Sequence, residues 1–219
     1  MRAVIFTGGE CLTSRVAEWL SPTSETIFHT GGERESRKKE SFVIAADSGY
    51  DTAISAGVIP DLIVGDMDSI RHPLPEGAEM IRVRAEKDET DTMLAIHTAL
   101  ERGADQITVI GGAGGRADHW LSNIFMLEHL IRMGINAELW DGINRITAVH
   151  NSTLTVKAGC SYFGIIALED STVSAEGCRY PLNKAHLKRD CPYAVSNEVT
   201  GSSATITVNG CVIVTASYI

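Results

Sequence analysis

The residues best suited to chemistry are aspartates that follow short apolar runs. Asp66 and Asp68 come directly after the run DLIVG, where Gly65 allows the chain to turn. Residues two apart in an extended segment point to the same side, so both carboxylates face one way. Mg²⁺ takes one or two carboxylates together with phosphate and water oxygens. GDMDS is also compatible with an Asp-rich surface turn, but further acids in equivalent positions favour a metal site.

These further acids also follow apolar runs or begin helices. Asp47 follows FVIAA, Asp88 and Asp91 flank Thr90 at a predicted helix start, and Asp118 begins the next helix. Ligands of open parallel sheets bind at the carboxyl ends of the strands, so these acids should gather at one edge. For Asp88 and Asp91 two interpretations stay open, because the helix dipole alone favours acids there and a cation or substrate ammonium would do so too.

A glycine loop, GGAGGR at 111–116, lies between an apolar run and a predicted helix. Such a loop can bring backbone N–H groups against phosphate, and Arg116 adds a planar, fork-shaped donor. The loop is not a P-loop, because no GK[ST] follows it. The alternative is a tight turn between a strand and a helix.

The elements that must position these residues change character near residue 150. Before it, short apolar runs alternate with helical patterns, which predicts βαβ units and a mostly parallel sheet. A charged segment at 31–40 predicts a surface loop. The predicted strands are 3–7, 41–47, 61–66, 79–84, 106–112 and 136–141, and the predicted helices are 14–20, 51–56, 90–102 and 118–133, with Thr90 as N-cap.

After residue 150 the sequence is typical of antiparallel β structure. Short β-branched runs are separated by Gly, Asn and Asp, and Asn209-Gly210 is the strongest hairpin signal. About 70 residues are few for an independent fold, so we expect this part to be stabilised by packing against the first part or against a second subunit. We therefore predict an α/β domain at 1–145 and a small antiparallel β domain at 150–219.

Composition narrows the classes of protein. The 219 residues are 44% hydrophobic and 21% charged, which excludes disorder, and no apolar run has the length of a membrane span. Nineteen basic against 28 acidic residues give a net charge of −9, which argues against a nucleic-acid binder but not against a nucleotide enzyme. The five cysteines form no CxxC pair, which argues against structural zinc, and the start is unlike a signal peptide, so we expect reduced thiols in the cytoplasm.

Together these segments resemble the thiamine pyrophosphokinase family. The resemblance lies in ADSGYDTAISAGVIPDLIVGDMDSI at 46–70, KDETDTMLAI at 87–96, GGAGGRADHWLSN at 111–123 and SNE at 196–198. The family pattern is similar to ADGGAN, GDFDSI, KD.TD and G..GGR.DH, in that order. This chain departs from it at Ser48, at Tyr50-Asp51, and at Met67 in place of Phe.

The resemblance implies a Rossmann-like α/β catalytic domain followed by a β-sandwich, and a homodimer that binds thiamine between its subunits. It implies transfer of a pyrophosphoryl group from ATP to the thiamine hydroxyl, with release of AMP, and the strand-end carboxylates suit the Mg²⁺ that would accompany ATP. On this basis we predict Asp66, Asp68 and Asp91 as Mg²⁺ ligands, with Asp88 as an alternative to Asp91; Asp66, Asp68, Asp91 and Asp118 as catalytic; Asp47, Gly65, Lys87, Asp88, Thr90, Gly112, Gly115 and Arg116 as nucleotide-binding; and Ser196 and Asn197 as thiamine-binding.

Two other functions stay open. One is a related pyrophosphokinase acting on another alcohol, such as a hydroxymethylpterin, and the other is a non-catalytic nucleotide-binding or sensor module. A sensor needs affinity but not a full set of metal-binding acids, so the acids of this chain oppose the second alternative. Formation of AMP and thiamine diphosphate from ATP, Mg²⁺ and thiamine would separate all three.

Overall fold

The computed structural model describes residues 1–20, 28–30, 41–83 and 89–219. The predicted loop at 31–40 and the predicted site residues Lys87 and Asp88 lie outside the described residues. Within the described ranges the chain forms these elements: β1 (Arg2–Phe6), α1 (Thr13–Leu20), β2 (Phe28–Thr30), β3 (Phe42–Ala46), α2 (Gly49–Ser55), β4 (Leu62–Gly65), β5 (Glu79–Arg82), α3 (Asp91–Glu101), β6 (Gln106–Ile110), α4 (Ala117–Arg132), β7 (Asn136–Trp140), β8 (Asn144–His150), β9 (Thr153–Lys157), β10 (Tyr162–Ala167), β11 (Ser171–Glu176), β12 (Leu182–Leu187), β13 (Ser203–Asn209) and β14 (Cys211–Ser217).

The predicted parallel sheet is confirmed. Strands run side by side in the order β7, β6, β1, β3, β4 and β5, all parallel. Alternate side chains of β1 point to opposite faces, as a strand requires. Ile5 packs in one core with Ile96 of α3 and Leu127 of α4, and Phe6 packs in another with Val16 of α1. Helices therefore cover both faces, which explains why the inner strands have continuous apolar runs, whereas the edge strand β5 is mostly exposed.

The sheet continues beyond β7 into the C-terminal part of the chain. In the described residues it has nine strands, because β8 pairs antiparallel with β7 and is followed in space by β14 and β10. A second, antiparallel sheet has the order β12, β11, β13, β9 and β2 in the described chain. Val149, Phe163 and Val214 of the first sheet share a core with Leu154 and Ile206 of the second. This packing is the small β-sandwich expected after the α/β part.

The predicted hairpin at Asn209-Gly210 is wrong. β13 pairs with β11 and β9, whereas β14 pairs with β8 and β10, so the chain passes here from one sheet to the other. Gly210 has φ +118°, its N–H donates to Asn151 Oδ1 at 2.8 Å, and a Cβ on it would lie 2.3 Å from Ser171 Oγ. A corner between sheets needs the same positive φ as a hairpin, so the sequence signal for the two is shared.

A buried arginine ties α1 to the sheet. Arg145 of β8 has no exposed surface, and its guanidinium carbon lies 5.1 Å from the ring centroid of Trp19 on α1 and 5.1 Å from that of Trp140 on β7. Its Nη2 lies 3.5 Å from Glu138 Oε1. Its three guanidinium nitrogens have no hydrogen-bond partner among the described residues, so contact with the two aromatic faces and the ion pair offset only part of the lost hydration. None of the helices in the described ranges has the length and apolar character needed to cross a lipid bilayer.

We predict that Arg145→Leu lowers the free energy of unfolding by about 2–4 kcal/mol, because it removes two buried cation–π contacts, each worth up to about 2 kcal/mol, and the ion pair with Glu138. Arg102→Leu is the matched control, since Arg102 also pairs with a glutamate, Glu79, and stacks over a ring, that of Phe42 at 4.7 Å, but lies at the surface. That change should remove about 1 kcal/mol or less. Urea unfolding of both variants measures the difference, and equal losses would contradict the role given to Arg145.

Candidate active site

Three carboxylates meet at the carboxyl ends of β3 and β4. Asp47, Asp66 and Asp68 each place one oxygen within 4.8 Å of the others. The first two are partly buried and Asp68 is exposed. Oδ1 of Asp47 is buried and has no hydrogen-bond partner among the described residues. A hard cation with oxygen ligands would satisfy that oxygen and neutralise the group, so these residues fit Mg²⁺.

The raised pKa of Asp47 also supports a cation-binding site. Burial raises the pKa of Asp47 above its ordinary value, and the negative charges of Asp66 and Asp91 raise it further. Hydrogen bonds from the Ser48 backbone and the Ser69 side chain act in the opposite direction on this pKa. Three acids crowded in this way repel one another, and a nearby positive charge would remove the repulsion.

The backbone at this point adopts conformations that most residues avoid. Gly65 has φ +145°, and a Cβ built on it would lie 3.1 Å from Asp47 Cβ and 3.2 Å from Asp47 Cα. Asp47 itself has φ +48°, and Met67 has φ +70°. Left-handed conformations of non-glycine residues cost free energy and persist where the surrounding structure holds them, often at functional sites. Gly65 thus allows the two strand ends to approach closely enough for the acids to meet.

The start of α3 lies beside this group of acids. Thr90 is the N-cap, as predicted, and its Oγ1 accepts the N–H of Met93 at 3.2 Å. Asp91 follows in the first turn, and its charge acts on Asp47. The three carboxylates that come together are those of Asp47, Asp66 and Asp68, so Asp47 joins the predicted ligands Asp66 and Asp68 while Asp91 lies beside them. The position of Asp47 after an apolar run was the available sequence signal for this role.

The glycine loop after β6 turns tightly against the end of β1. Gly111 has φ +75°, and a Cβ on Gly9 would lie 1.9 Å from the Gly111 carbonyl oxygen. Asn123 of α4 donates to the carbonyl of Gly112 at 2.8 Å. Gly115 has φ +70°, with no described atom within 4 Å of where its Cβ would be. The loop is anchored at its first glycines and open at its last ones.

Arg116 and Asp118 face each other at the end of this loop. Nε of Arg116 donates to Oδ1 of Asp118 at 3.2 Å, and Nη2 donates to Oδ2 at 2.7 Å. This hydrogen-bonded pairing with Arg116 lowers the pKa of Asp118 below its ordinary value. Both side chains are exposed, and exposed ion pairs contribute little free energy. A phosphate can therefore replace Asp118 as the partner of Arg116 at small cost.

A cavity of about 260 Å³ lies at the far side of the nine-stranded sheet, where β10 begins and β14 ends. Ser196 lines it together with Tyr162, Gly164, Val195 and Thr215. Asn197 is not among the described residues that line it.

The amide of Asn197 is instead used to shape the loop beside the cavity. Its Oδ1 accepts the N–H groups of Tyr180 at 3.0 Å and Glu198 at 2.9 Å, and its Nδ2 donates to the Tyr180 carbonyl at 2.8 Å. The two predicted thiamine-binding residues therefore stand in different environments.

The fold and site define a two-part α/β protein with the features of a phosphoryl-transfer enzyme: acids at strand ends, a glycine loop and an arginine. The family model for the thiamin pyrophosphokinase catalytic domain matches residues 34–139, and the model for its vitamin B1 binding domain matches residues 151–213. The chain belongs to the thiamin pyrophosphokinase family.

Individual relatives agree with the family models. The thiamine pyrophosphokinase of Bacillus subtilis (strain 168) is 34% identical over 171 residues, which are 74% of this chain and 80% of that protein. A crystal structure of thiamine pyrophosphokinase from Bacillus subtilis matches with a TM-score of 0.82 and 26% identity, over all of both chains. Thiamin pyrophosphokinase from Candida albicans, at 14% identity, shares the fold with a TM-score of 0.75, over all of this chain and 89% of that one.

We predict that Gly65→Ala weakens Mn²⁺ binding by at least about tenfold, because a methyl group there pushes Asp47 away from Asp66 and Asp68. Gly57→Ala is the matched control, since Gly57 also has a positive φ, +74°, but no described atom lies within 4 Å of its Cβ position. The control should cost about 1 kcal/mol of stability and leave Mn²⁺ binding unchanged. Calorimetric titration with Mn²⁺ tests both, and equal affinities in the two variants would contradict the argument.

Proposed function

We propose that the protein is a thiamine pyrophosphokinase, which transfers the pyrophosphoryl group of ATP to the hydroxyl of thiamine and releases AMP. One observation carries the proposal: in a chain of this family, Asp47, Asp66 and Asp68 gather at the strand ends beside a glycine loop. The thiamine hydroxyl oxygen forms a bond to the β-phosphorus of ATP. The bond from that phosphorus to the oxygen bridging to the α-phosphorus breaks, and the hydroxyl proton is lost to a base.

We assign the acids to a magnesium site. Asp47, Asp66 and Asp68 would hold Mg²⁺, with Asp91 beside them, and Mg²⁺ when bound supplies positive charge to the phosphates. Reactions of this kind need positioning and neutralisation of charge more than covalent catalysis. The residues of this chain meet that need by presenting fixed carboxylates on one side and donors on the other.

The donors lie at a suitable distance for phosphates. In the sheet order, β6 is two strands from β3, which is roughly 10 Å at the usual strand spacing. Backbone N–H groups around Gly112 and Gly115 and the guanidinium of Arg116 would contact phosphate oxygens, while Asp118, released from Arg116, would orient substrate. ATP then lies along the carboxyl edge of the sheet, between the glycine loop and the acids.

We place the thiamine site at the cavity beside Ser196, and this choice requires a second subunit. β14 runs parallel to β7, because both are antiparallel to β8, so the cavity lies at the same edge of the sheet as the acids. However, β14 is six strand spacings from β4, which is roughly 29 Å. Thiamine in this cavity cannot reach phosphates held by the same chain. We therefore propose a homodimer in which the cavity of one chain faces the acids of its partner.

Two further parts of the proposal concern organisation. We assign nucleotide binding and catalysis to residues 1–145, and thiamine binding and dimerisation to residues 150–219, with β8 spanning the boundary between them. We also propose that the protein works in the cytoplasm, which is supported by its cysteines. All five are free thiols in the structure, and free thiols persist in a reducing compartment.

The direct test is incubation with ATP, Mg²⁺ and thiamine, followed by measurement of AMP and thiamine diphosphate. Asp66→Asn should lower turnover by at least about 100-fold and leave the fold intact, because it removes a proposed ligand and no core contact. Asp190→Asn, an exposed aspartate far along the chain, is the control and should stay active. Turnover with a hydroxymethylpterin in place of thiamine, or no turnover with either alcohol, would contradict the proposal.

A mixing experiment tests the shared site. Val195→Trp should fill the cavity and abolish activity, whereas Tyr193→Trp, equally exposed nearby but not lining the cavity, should be active. When inactive Asp66→Asn and inactive Val195→Trp proteins exchange subunits in equal amounts, half of the dimers contain one intact site, so about a quarter of the wild-type activity should return. No recovery after proven exchange, or an active monomer in sedimentation, would refute the shared site.

A further inference from the structure

Asp51 forms several hydrogen bonds with the stretch of chain that directly follows the proposed metal ligands. We use the name acidic loop for residues 66–73, which carry Asp66 and Asp68. The Asp51 carboxylate accepts the backbone N–H of Arg71 at 3.0 Å and that of His72 at 2.9 Å, and the His72 ring nitrogen Nδ1 lies 2.7 Å from its Oδ1. Three groups of the acidic loop thus converge on one side chain of α2.

The next residue back on α2 adds a second attachment. Tyr50 is almost fully buried, and its hydroxyl donates to the carbonyl of Pro73 at 3.0 Å. Within the acidic loop, Asp68 N–H donates to Asp66 Oδ1 and Ser69 Oγ donates to Asp68 Oδ1, and the Ser69 side chain also bonds to Asp47. The bonds to Asp51 and Tyr50 attach the far end of the loop, residues 71–73, to α2.

The helix that provides these attachments is itself held in place. A Cβ on Gly49 would lie 2.0 Å from the carbonyl oxygen of Phe6, so α2 begins in direct contact with the end of β1. Thr52 Oγ1 donates to the carbonyl of Thr7 at 3.2 Å. Asp47 stands immediately before this helix. One short segment, 47–51, therefore provides one proposed ligand and fixes the loop that provides the other two.

We infer that Asp51 is a positioning residue, which sets the distance of Asp66 and Asp68 from Asp47 and thereby the affinity for the divalent cation. The inference rests on the proposed magnesium site. Groups that orient ligands from outside the coordination shell change metal affinity by about 10–100-fold when they are removed. Asp51 does so by hydrogen bonds to the backbone of the loop, at Arg71 and His72, rather than to the ligands themselves.

The test is a titration of the purified protein with Mn²⁺ alone, followed by electron paramagnetic resonance. Asp51→Ala should weaken Mn²⁺ binding by about tenfold or more, and Asp51→Asn, which keeps an oxygen acceptor for the two backbone N–H groups, should recover most of the affinity. In assays, Asp51→Ala should raise the Mg²⁺ concentration needed for half-maximal rate and leave the KM for thiamine unchanged. A purely structural role would not give this separation.

Asp61→Ala is the matched control, because Asp61 also accepts a backbone N–H, that of Val43 at 2.8 Å, but at the opposite end of β4. It should destabilise the protein to a similar extent in urea and leave Mn²⁺ affinity unchanged. If Asp51→Ala does not fold, Tyr50→Phe replaces it, and loss of its single hydrogen bond should weaken Mn²⁺ binding by about threefold.

The outcomes separate this inference from the proposed function. If the parent protein binds Mn²⁺ and Asp66→Asn abolishes that binding, the proposed metal site stands. Unchanged affinity in Asp51→Ala, or in Tyr50→Phe where the alanine variant does not fold, would then overturn the positioning role alone. Parent protein that binds no Mn²⁺, or binds it equally well with Asp66→Asn, would overturn the metal site and this inference with it.

Discussion

The structure depends on holding three like charges together. Asp47, Asp66 and Asp68 come within 4.8 Å of one another in a partly buried position, where their repulsion is stronger than it would be in water. Such a group must be held by the surrounding fold rather than by attraction among its members. The parallel pairing of β3 with β4, the close approach that Gly65 allows and the left-handed backbone at Asp47 and Met67 all serve that end. The acids are therefore preorganised for a cation, which offsets the repulsion when it binds.

Much of the fold could be predicted from local patterns, and the errors have a common cause. The parallel strands and the helices between them follow from apolar periodicity, because the inner strands are buried on both faces and the exposed edge strand β5 mixes apolar with polar residues. β2 was missed, since it is three residues long and finds its partner, β9, in the distant part of the chain. Asn209-Gly210 is a change of chain direction, as predicted, but it connects strands of two different sheets rather than the two strands of a hairpin. Which strands pair across the chain depends on contacts between distant residues, which local patterns do not contain.

The candidate active site, like the fold, could be predicted only in part. Strand-end position alone was enough to bring Asp47, Asp66 and Asp68 to one edge, because parallel strands end together. It did not reveal that Asp47, rather than Asp91, is the third carboxylate beside Asp66 and Asp68. That arrangement depends on the backbone conformation at Gly65. Nor did it show that Arg116 and Asp118 pair with each other, or that the Asn197 amide is occupied by Tyr180. Residue types and their order can be read from a sequence, but the hydrogen-bond partner of each polar group depends on the three-dimensional arrangement.

The order of strands in the nine-stranded sheet has a consequence for synthesis. β10 is joined to that sheet by β14 only, although its other edge bonds to residues 194–197, and β14 is the last strand of the described chain, so β10 joins the sheet only after β14 has been made. Pairing between distant segments slows folding, and until it is complete the edge of β8 and the apolar face of β10 stay open to other chains. The parallel half of the sheet, whose strands are made earlier, can assemble while the rest is still being translated. The period in which the chain is most exposed to aggregation thus lasts until β14 has been made and has paired with both β8 and β10.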